Sequence, residues 1–484
     1  MIRGDEMNTI LFAAAEASPF IKTGGLADVI GSLPKELIRQ GADIRVILPK
    51  YDSIPDYWKL RMEHVCHFDV PVGWRQQYCG ISSLCHDGVT YYFVDNEYYF
   101  KRSNAYGYYD DAERFAFFCR AVLEALPKLG FKPQVIHCHD WHAAVIPLLL
   151  HAHYRQMPDY ANLRTVLTIH NLHYQGLFPA GVLGDLLDLD EREYLTHDKV
   201  EFYGGVNFLK AGIVYSDVIT TVSKSYAEEI LTPEYGENLD GLLRARKREL
   251  TGIVNGIDYD YYNPASDSVI AAKYTWRSAG RKRQNKLKLQ EFLGLPVDAN
   301  IPVIGIVTRM VPSKGLDLIA EVLDEVVKLG VQVVVLGTGD EKYVNMFTVA
   351  AHHNPEHVSS NIYFEENLAH KIYAGSDIFL MPSLFEPCGI GQMIALRYGS
   401  IPVVRETGGL KDTIIPYNEY TGEGNGFAFS RYQGQDMLNA VQRALAVYRD
   451  ADQWKKVVHS AMRSDYSWCK SAQEYLSLYK RVCG

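Results

Sequence analysis

Short runs of apolar, largely β-branched residues alternate along the chain with longer segments whose apolar residues recur at helical spacing. Such runs are typical of strands in a parallel sheet that helices cover on both faces. In the first half of the chain the runs predict six strands, at residues 9–15, 43–48, 89–94, 134–137, 164–169 and 218–222. The helical patterns between them include 26–40 and 112–126, and Gly41 follows the first as a typical C-terminal residue of a helix.

The alternation starts again after a polar, turn-rich stretch at 258–267. A second set of strands is predicted at 302–307, 331–336, 361–364, 377–380 and 401–404. The chain is therefore predicted to be an α/β protein of two Rossmann-like, doubly wound domains, which bind ligands where strands end. We expect the domains to span 1–256 and 270–450, with a helix at 451–484 that packs back on the first domain.

Length and charge narrow the possible functions. The 484 residues suit two or three domains, and 58 acidic against 49 basic residues give a net charge of −9. That balance disfavours a nucleic-acid or anionic-membrane partner, so an anionic ligand would need a few focused cations. No signal peptide and no membrane-spanning segment is predicted, and eight scattered cysteines favour a reduced, cytoplasmic location.

The first candidate site follows the first predicted strand. Lys22, Gly24, Gly25 and Asp28 lie where that strand gives way to a helix. Glycines let backbone N–H groups approach an anion, the helix N-terminus favours negative charge, and lysine adds a point charge. A tight turn with an exposed lysine explains the same residues equally well, and the spacing is not that of a P-loop.

Three further junctions of this kind follow strands of the second set. Arg309 and Lys314 flank a proline-containing loop, where two cations could clamp a pyrophosphate whose negative charge grows as its bond to a sugar breaks. Glu386 lies in the next junction with Cys388 and Gly389, and the third contains Thr407, Gly408 and Gly409. Each junction alone is an ordinary turn between a strand and a helix, but four such strand ends in two sheets favour a binding site.

Histidines and acidic pairs raise the possibility of a metal site. His137, Cys138 and His139 are adjacent on a predicted strand, so their side chains alternate between faces and do not converge on one ion. The Asp-x-Asp pairs at 188–190 and 258–260 lie in polar linkers, where a solvated loop is the better interpretation. We therefore expect neither a metal nor a cofactor. The glycine pair at 337 and 339 lacks the third glycine of a dinucleotide fingerprint.

Taken together, seven segments resemble the signatures of bacterial glycogen synthases, which plant starch synthases share. The resemblance runs in the family's order from about residue 9 to the end, without large insertions. Its lysine–glycine motif is highly specific, whereas Glu-Pro-x-Gly occurs in many glycosyltransferases. The segments are 22–29 (KTGGLADV), 137–142 (HCHDWH), 168–171 (TIHN), 254–258 (VNGID), 309–316 (RMVPSKGL), 386–389 (EPCG) and 405–410 (RETGGL).

The resemblance implies a GT-B architecture, in which two Rossmann-like domains face an interdomain cleft. The 1–256 domain would be the acceptor side and the 270–450 domain would bind the nucleotide sugar. The implied reaction transfers glucose from ADP-glucose to the non-reducing 4-hydroxyl end of an α-1,4-glucan, with retention of configuration and no metal. ADP-glucose rather than UDP-glucose is implied by the resemblance alone, and the oligomeric state stays open.

The resemblance also implies roles for individual residues. In the first domain, Lys22 would contact the donor phosphates with Asp28 supporting its loop, and the main-chain carbonyl of His170 would lie under the anomeric carbon. In the second domain, Arg309 and Lys314 would stabilise the departing nucleoside diphosphate, while Glu386 would lie beside the transferred glucose. The sugar and acceptor side would be lined by Tyr106, Asp140, Asn171 and Asn255, the glucose pocket by Cys388 and Gly389, and the phosphates by Thr407, Gly408 and Gly409.

Two positions match the family less well. Related enzymes often carry a second glutamate eight positions after the first, but Ile394 stands there, so a ribose contact is not expected from it. Tyr106 lies in a loop that resembles the family less closely. Two other classes of function stay open: another GT-B enzyme, such as a sucrose synthase or a sugar-nucleotide epimerase, and a glucan-binding protein without catalysis.

Overall fold

The computed structural model describes residues 8–484, so the first seven residues of the predicted 1–256 domain lie outside the described residues. The described chain forms two compact units. Unit 1 comprises the residues up to Gly256 together with Trp468–Gly484, and unit 2 comprises Ile257–Ser467.

Unit 1 is built on a mixed sheet whose strands, within the described residues, number nine in the order β12-β11-β7-β6-β1-β2-β5-β4-β3. All neighbours in it are parallel except β4, which is antiparallel to β3 and β5. Its strands are β1 (Thr9–Ala13), β2 (Asp43–Pro49), β3 (Glu63–Val72), β4 (Arg75–His86), β5 (Val89–Asp95), β6 (Val135–His139), β7 (Arg164–Ile169), β11 (Val218–Thr221) and β12 (Leu250–Gly252). The three short strands β8 (Leu177–Pro179), β9 (Glu201–Phe202) and β10 (Gly205–Asn207) pair separately.

The helices of unit 1 cover this sheet with their apolar faces. In the first of them, Val29, Ile30 and Leu33 are buried while Lys35 and Arg39 lie on the more exposed side, which is the pattern expected of a helix packed on a sheet. The helices are α1 (Gly25–Arg39), α2 (Asp56–Lys59), α3 (Glu97–Phe100), α4 (Asp111–Ala125), α5 (Ile146–Leu149), α6 (Val182–Leu187), α7 (Glu191–Tyr194), α8 (Phe208–Tyr215), α9 (Lys224–Glu229) and α10 (Asp240–Ala245).

Unit 2 has a parallel sheet in the order β15-β14-β13-β16-β17-β18. Its strands are β13 (Val303–Val307), β14 (Gln332–Leu336), β15 (Val358–Asn361), β16 (Ile378–Met381), β17 (Ile401–Arg405) and β18 (Phe427–Phe429). Its helices are α11 (Lys282–Phe292), α12 (Leu316–Lys328), α13 (Glu341–His353), α14 (Glu366–Gly375), α15 (Gly391–Arg397), α16 (Gly408–Thr413), α17 (Gly434–Arg449) and α18 (Ala451–Arg463). The last helix of the chain, α19 (Trp468–Cys483), belongs to unit 1.

The C-terminal segment 451–484 is two helices rather than the single one predicted. Helix α18 belongs to unit 2, whereas α19 packs against α1 in unit 1. The Ser471 hydroxyl donates to the Val254 carbonyl at 2.6 Å, and the Tyr479 hydroxyl hydrogen-bonds His137 at 2.7 Å. The segment 464–467 (Ser-Asp-Tyr-Ser) separates the two helices, and residue 464 is already extended.

The predicted strands also differ in part from those of the structure, which has the unpredicted strands β3, β4, β8, β9, β10, β12 and β18. The strand predicted at 361–364 is wrong, since β15 ends at Asn361 and the Glu365 carboxylate then accepts the Leu368 N–H at 2.9 Å to begin α14. The β3–β4 hairpin is absent from the prediction. Polar residues alternate along its exposed face, so it lacks the continuous apolar run that marks a strand buried on both faces.

Candidate functional site

In each sheet, the strand order reverses direction at one point, and the predicted site residues follow the strands on both sides of that point. In unit 1 it lies between β1 and β6, since β1 continues to β2 on one side while β6 and β7 lie on the other. In unit 2 it lies between β13 and β16. Ligands of doubly wound sheets bind in the crevice that such a reversal leaves at the carboxyl ends of the strands.

An ion pair joins the loops on the two sides of the unit 2 reversal. The Lys314 ammonium, after β13, donates to Glu386 Oε2, after β16, at 2.6 Å. Glu386 is 6% exposed, and the Ser383 hydroxyl also donates to the same oxygen at 3.1 Å. The charge of the buried carboxylate is therefore balanced within the site.

The loop after β17 packs against the Glu386 loop so closely that only glycine fits. A Cβ at Gly408 would lie 2.1 Å from the Glu386 carbonyl oxygen, and one at Gly409 would lie 2.1 Å from the Cys388 carbonyl oxygen. Gly408 also has φ +44°, which is unfavourable for other residues. The Gly409 N–H donates to the Glu386 carbonyl at 3.1 Å, so the two loops form one structure.

The side chains of an arginine and a glutamine also donate hydrogen bonds to backbone carbonyls of the Glu386 loop. The buried Arg405 guanidinium donates from Nε to the Ser383 carbonyl at 2.9 Å and also contacts the Leu384 carbonyl. The Gln392 amide donates to the carbonyls of Cys388 and Gly389, both at 3.0 Å. Predicted site residues Cys388 and Thr407 are buried beside these bonds.

Arg309 and Ile394 lie outside this bonded group. Arg309 is exposed in the loop after β13, and Ile394 is buried in the core of unit 2 at 4% exposure. Arg309 is thus accessible to a ligand. Ile394 has an apolar side chain and little access to one.

In unit 1 the loop after β1 carries the lysine–glycine motif into helix α1. The Lys22 ammonium donates to Asp28 Oδ1 at 2.7 Å, and Gly24 is the residue before the first turn of α1, which begins at Gly25. The side chains of both ion-pair partners are partly exposed. Lys22 is therefore paired with a residue of the helix that follows it, and its side chain is not buried.

A buried glutamate that lies outside the sequence motifs, Glu16, supports this loop. Glu16 is 2% exposed, and its Oε2 accepts the Thr23 N–H at 2.5 Å. Burial raises the pKa of Glu16 to about 7, although hydrogen bonds from Thr23 and Gly24 oppose this shift. Its sequence signal was a lone carboxylate directly after an apolar run, at the carboxyl end of a strand.

The loop that carries Tyr106 is held against the lysine–glycine loop. The Tyr106 hydroxyl contacts the Thr23 hydroxyl, and the Tyr106 ring lies 4.7 Å from the His142 ring between centroids. The fully buried Arg114 donates to the Ala105 carbonyl at 2.9 Å and to the Asp111 carboxylate at 2.5 Å. Tyr106 is thereby placed beside Thr23, a neighbour of Lys22.

Asp140 and His170 meet across the ends of β6 and β7. Asp140 Oδ1 accepts the His170 N–H at 2.7 Å. Burial raises the pKa of Asp140 to about 7, while backbone hydrogen bonds from His170 and Asn171 lower it in part. Burial also lowers the pKa of His170 to about 3, so its ring is neutral at pH 7.

Two further histidines, His137 and His139 on β6, are buried beside His170. His139 Nδ1 lies 3.0 Å from His170 Nε2, and His137 Nε2 lies 2.6 Å from the Thr168 hydroxyl. Burial holds the pKa values of His137 and His139 well below the usual range. Among residues 8–484, no three His, Cys, Asp or Glu side chains are grouped as a metal ion would require.

The structure brings most of the predicted residues together in three groups, and Arg309 and Asn255 stand apart from them. Asn255 is buried, and within the described chain its Oδ1 has no hydrogen-bond partner. Thr23 links Lys22 and Tyr106 in the first group. The groups are Lys22, Gly24, Gly25, Asp28 and Tyr106; Asp140, His170 and Asn171; and Lys314, Glu386, Cys388, Gly389, Thr407, Gly408 and Gly409.

Known proteins resemble the chain over nearly its whole length. Residues 9–245 match the starch synthase catalytic domain, and residues 291–458 match the glycosyl transferases of group 1. Proteins named glycogen synthase from Desulforamulus reducens and Geobacillus thermodenitrificans are each 56% identical, covering 98% of this chain and 98% and 97% of their own.

Solved structures show the same relationship. The catalytic domain of starch synthase IV from Arabidopsis thaliana, bound to ADP and acarbose, is 35% identical, with a TM-score of 0.92 over 99% of this chain and 100% of that one. Sucrose-phosphate synthase from Thermosynechococcus elongatus is 16% identical, with a TM-score of 0.61 over 98% of both chains, and shares the fold. These relatives confirm the predicted GT-B fold class. In the part of the chain that the structure describes, no helix is long and apolar enough to cross a membrane.

Proposed function

Because this chain belongs to the family of bacterial glycogen synthases and starch synthases, and is therefore a glycosyltransferase of glycogen synthesis, we propose a specific reaction for it. Glucose passes from ADP-glucose to the non-reducing 4-hydroxyl of an α-1,4-glucan, with retention of configuration. ADP is present in the starch synthase IV structure, which supports an adenine donor. We propose a cytoplasmic location, as expected from the sequence.

The observation that carries the proposal is the bonded group in unit 2. Lys314 and Glu386 form a 2.6 Å ion pair at the reversal point of the sheet, where nucleotides bind in folds of this kind. Gly408 and Gly409 let their loop pack against the Glu386 loop. A Cβ at either glycine would lie only 2.1 Å from a carbonyl oxygen of that loop. A glucan-binding protein without catalysis would not need this combination of a cation, a buried carboxylate and glycine-shaped loops.

We assign the leaving group to the cations of unit 2. As the bond between glucose and diphosphate breaks, negative charge grows on the phosphate oxygens. Arg309 and Lys314 are the groups that would stabilise it, and Thr407, Gly408 and Gly409 would also meet the phosphates. Glu386 would lie beside the glucose, in a pocket lined by Cys388 and Gly389.

We assign the glucose and acceptor side to unit 1. The transition state of glucosyl transfer carries positive charge near the anomeric carbon. A neutral His170 ring adds no opposing cation there, and its main-chain carbonyl offers a partial negative charge. Lys22 would contact the donor phosphates with Asp28 supporting it, while Tyr106, Asp140, Asn171 and Asn255 would line the sugar and acceptor side.

Alanine substitutions at Lys22 and Arg309 test the proposal. Losing one charged contact to a transition state costs about 3 kcal/mol, so each variant should release nucleotide about 100-fold more slowly without unfolding. Lys35→Ala is the matched control for Lys22, because Lys35 lies on α1, the helix that follows Lys22, and likewise pairs with an aspartate, Asp87, at 2.6 Å. Arg449→Ala, an exposed arginine at the end of α17, is the control for Arg309.

The assay compares ADP-glucose with UDP-glucose, using glycogen as acceptor and measuring both nucleotide release and chain growth. Faster growth with ADP-glucose supports the proposal. Nucleotide release without chain growth would favour another GT-B enzyme, and no release with any donor would favour a binding protein. Near-wild-type rates in Lys22→Ala or Arg309→Ala would remove that residue from the mechanism.

A further inference from the structure

Glu16 is a buried carboxylate to which the proposed reaction gives no role. It is the third residue after the end of β1, and no ion pair in residues 8–484 includes it. A buried charge without a cation is costly unless hydrogen bonds satisfy it. The groups that donate to Glu16 therefore indicate what the residue does.

Those donors are backbone N–H groups of the lysine–glycine loop. Glu16 Oε2 accepts the Thr23 N–H at 2.5 Å, and the Gly24 N–H also bonds the carboxylate. Oε1 lies 3.9 Å from where a Cβ would stand at Gly24. The carboxylate thus lies along two successive peptide groups of the loop.

This contact lies directly before a helix that has no side-chain cap. Helix α1 starts at Gly25, and Gly24 before it has no side chain that could accept an N–H from the first turn. A carboxylate at a helix N-terminus is also favoured by the helix dipole. Glu16, eight positions upstream of Gly24, supplies negative charge at this helix end, while its carboxylate accepts N–H groups of the residues just before the helix.

We propose that Glu16 is a positioning residue for glucosyl transfer: it fixes the backbone at 22–24 and so sets where the Lys22 ammonium stands. Lys22 is the direct neighbour of Thr23, so a shift of the Thr23 peptide group moves the lysine. The inference rests on the proposed function through the role of Lys22 alone.

The protonation state of Glu16 makes this role depend on pH. Burial raises the pKa of Glu16 to about 7, and the nearby Asp28 adds to the shift. Protonation weakens the carboxylate as an acceptor, so the loop should loosen as the pH falls below 7. The ionisable groups that interact with Glu16 through their charge are Asp28 on α1, Tyr51 after β2 and Asp140 after β6. Asp28 is paired with Lys22. Tyr51 in turn interacts with Tyr106, Asp111 and Arg114.

The stability effect runs opposite to the effect on activity. The folded pKa lies above the unfolded value of 4.5, so the folded protein binds more protons between pH 4.5 and 7. Ionisation of Glu16 therefore lowers the free energy of unfolding, although the ionised carboxylate is the form that holds the loop. A residue with a merely structural role would lose stability on substitution, whereas Glu16→Gln should melt no lower than the wild type at pH 8.

The experiment compares full-length wild type, Glu16→Gln and a matched control, Glu124→Gln. Glu124 is a partly buried glutamate on α4 that accepts the Tyr154 hydroxyl at 2.6 Å, away from the site. Hydrogen exchange of the Thr23 and Gly24 amides, the melting temperature, and kcat with ADP-glucose and glycogen are measured from pH 6 to 9. The control should match the wild type in all three.

In Glu16→Gln the two amides should exchange at least tenfold faster at pH 8, and kcat should fall about tenfold with a flatter dependence on pH. In the wild type, protection of the same amides should fall from pH 8 to pH 6, a measurement that needs no variant. Wild-type exchange in Glu16→Gln would overturn the inference, and so would faster exchange with an unchanged kcat. Exchange is measured without substrate, so a failure of the proposed function would show separately, as a wild type without glucosyl transfer.

Discussion

A methyl group at Gly409 would collide with the loop that carries Glu386. Its carbon would lie 2.1 Å from the Cys388 carbonyl oxygen and 2.5 Å from the Cys388 Cα, whereas ordinary contacts begin at 3.4 Å. In Gly409→Ala the two loops must therefore separate by about 1 Å. Both contacts are to backbone, so no side chain can move aside to absorb the change.

The structure indicates how large the effects should be. Forcing a methyl group into a packed site typically costs about 1–3 kcal/mol, which a domain of ordinary stability survives. A displacement of about 1 Å in a site that positions reacting groups can cost about 100-fold in rate. Gly409→Ala should accordingly stay folded at 25 °C while its kcat/KM for the donor falls about 100-fold.

Initial rates of nucleotide release and thermal unfolding, measured on the same preparations, check this prediction. Gly280→Ala is the control, since a Cβ at Gly280 in unit 2 would meet nothing within 4 Å. It should leave both quantities unchanged. A Gly409→Ala enzyme that kept more than half of the wild-type kcat/KM would show that the geometry of the Glu386 loop does not govern the reaction.

Two further predictions concern charge. Burial would raise the pKa of Asp267, but hydrogen bonds from His370 and Tyr398 outweigh it and hold that pKa below 3.8. Asp267→Asn should therefore lower the free energy of unfolding at pH 7 by about 1–3 kcal/mol. In urea titrations, the difference in unfolding free energy between wild type and Asp267→Asn should narrow only below about pH 4. There the folded carboxylate becomes protonated and its stabilising contribution is lost. Chelation with EDTA should leave glucosyl transfer unchanged, because Lys22, Arg309 and Lys314 are proposed to stabilise the diphosphate. A lost rate that Mn²⁺ restored would refute that assignment.

The sequence predicted most of the strands that are buried on both faces, because an unbroken apolar run leaves few alternatives. It missed β18, which is buried but only three residues long. It could not predict the hairpin of β3 and β4, whose exposed face alternates polar residues as many loops do. The motifs located Lys314 and Glu386 after separate strands, but their 2.6 Å contact depends on β13 and β16 being neighbours. Strand order is set by packing over the whole unit, which local patterns do not contain.

Glu16 was missed for a related reason, and the cause bears on how the site works. A motif search finds groups that could bind a ligand, whereas Glu16 bonds backbone groups beside such residues. Arg405, which begins the 405–410 motif, does the same. Glu16 accepts the Thr23 N–H in unit 1, and Arg405 donates to the Ser383 carbonyl in unit 2. Each side chain places a buried charge against the partial charges of several peptide groups. The loop conformation is therefore stabilised by that charge, and the buried charge is stabilised by the peptide groups of the loop. Substitution of either residue should then alter catalysis through geometry, with the cations of the proposed site still present.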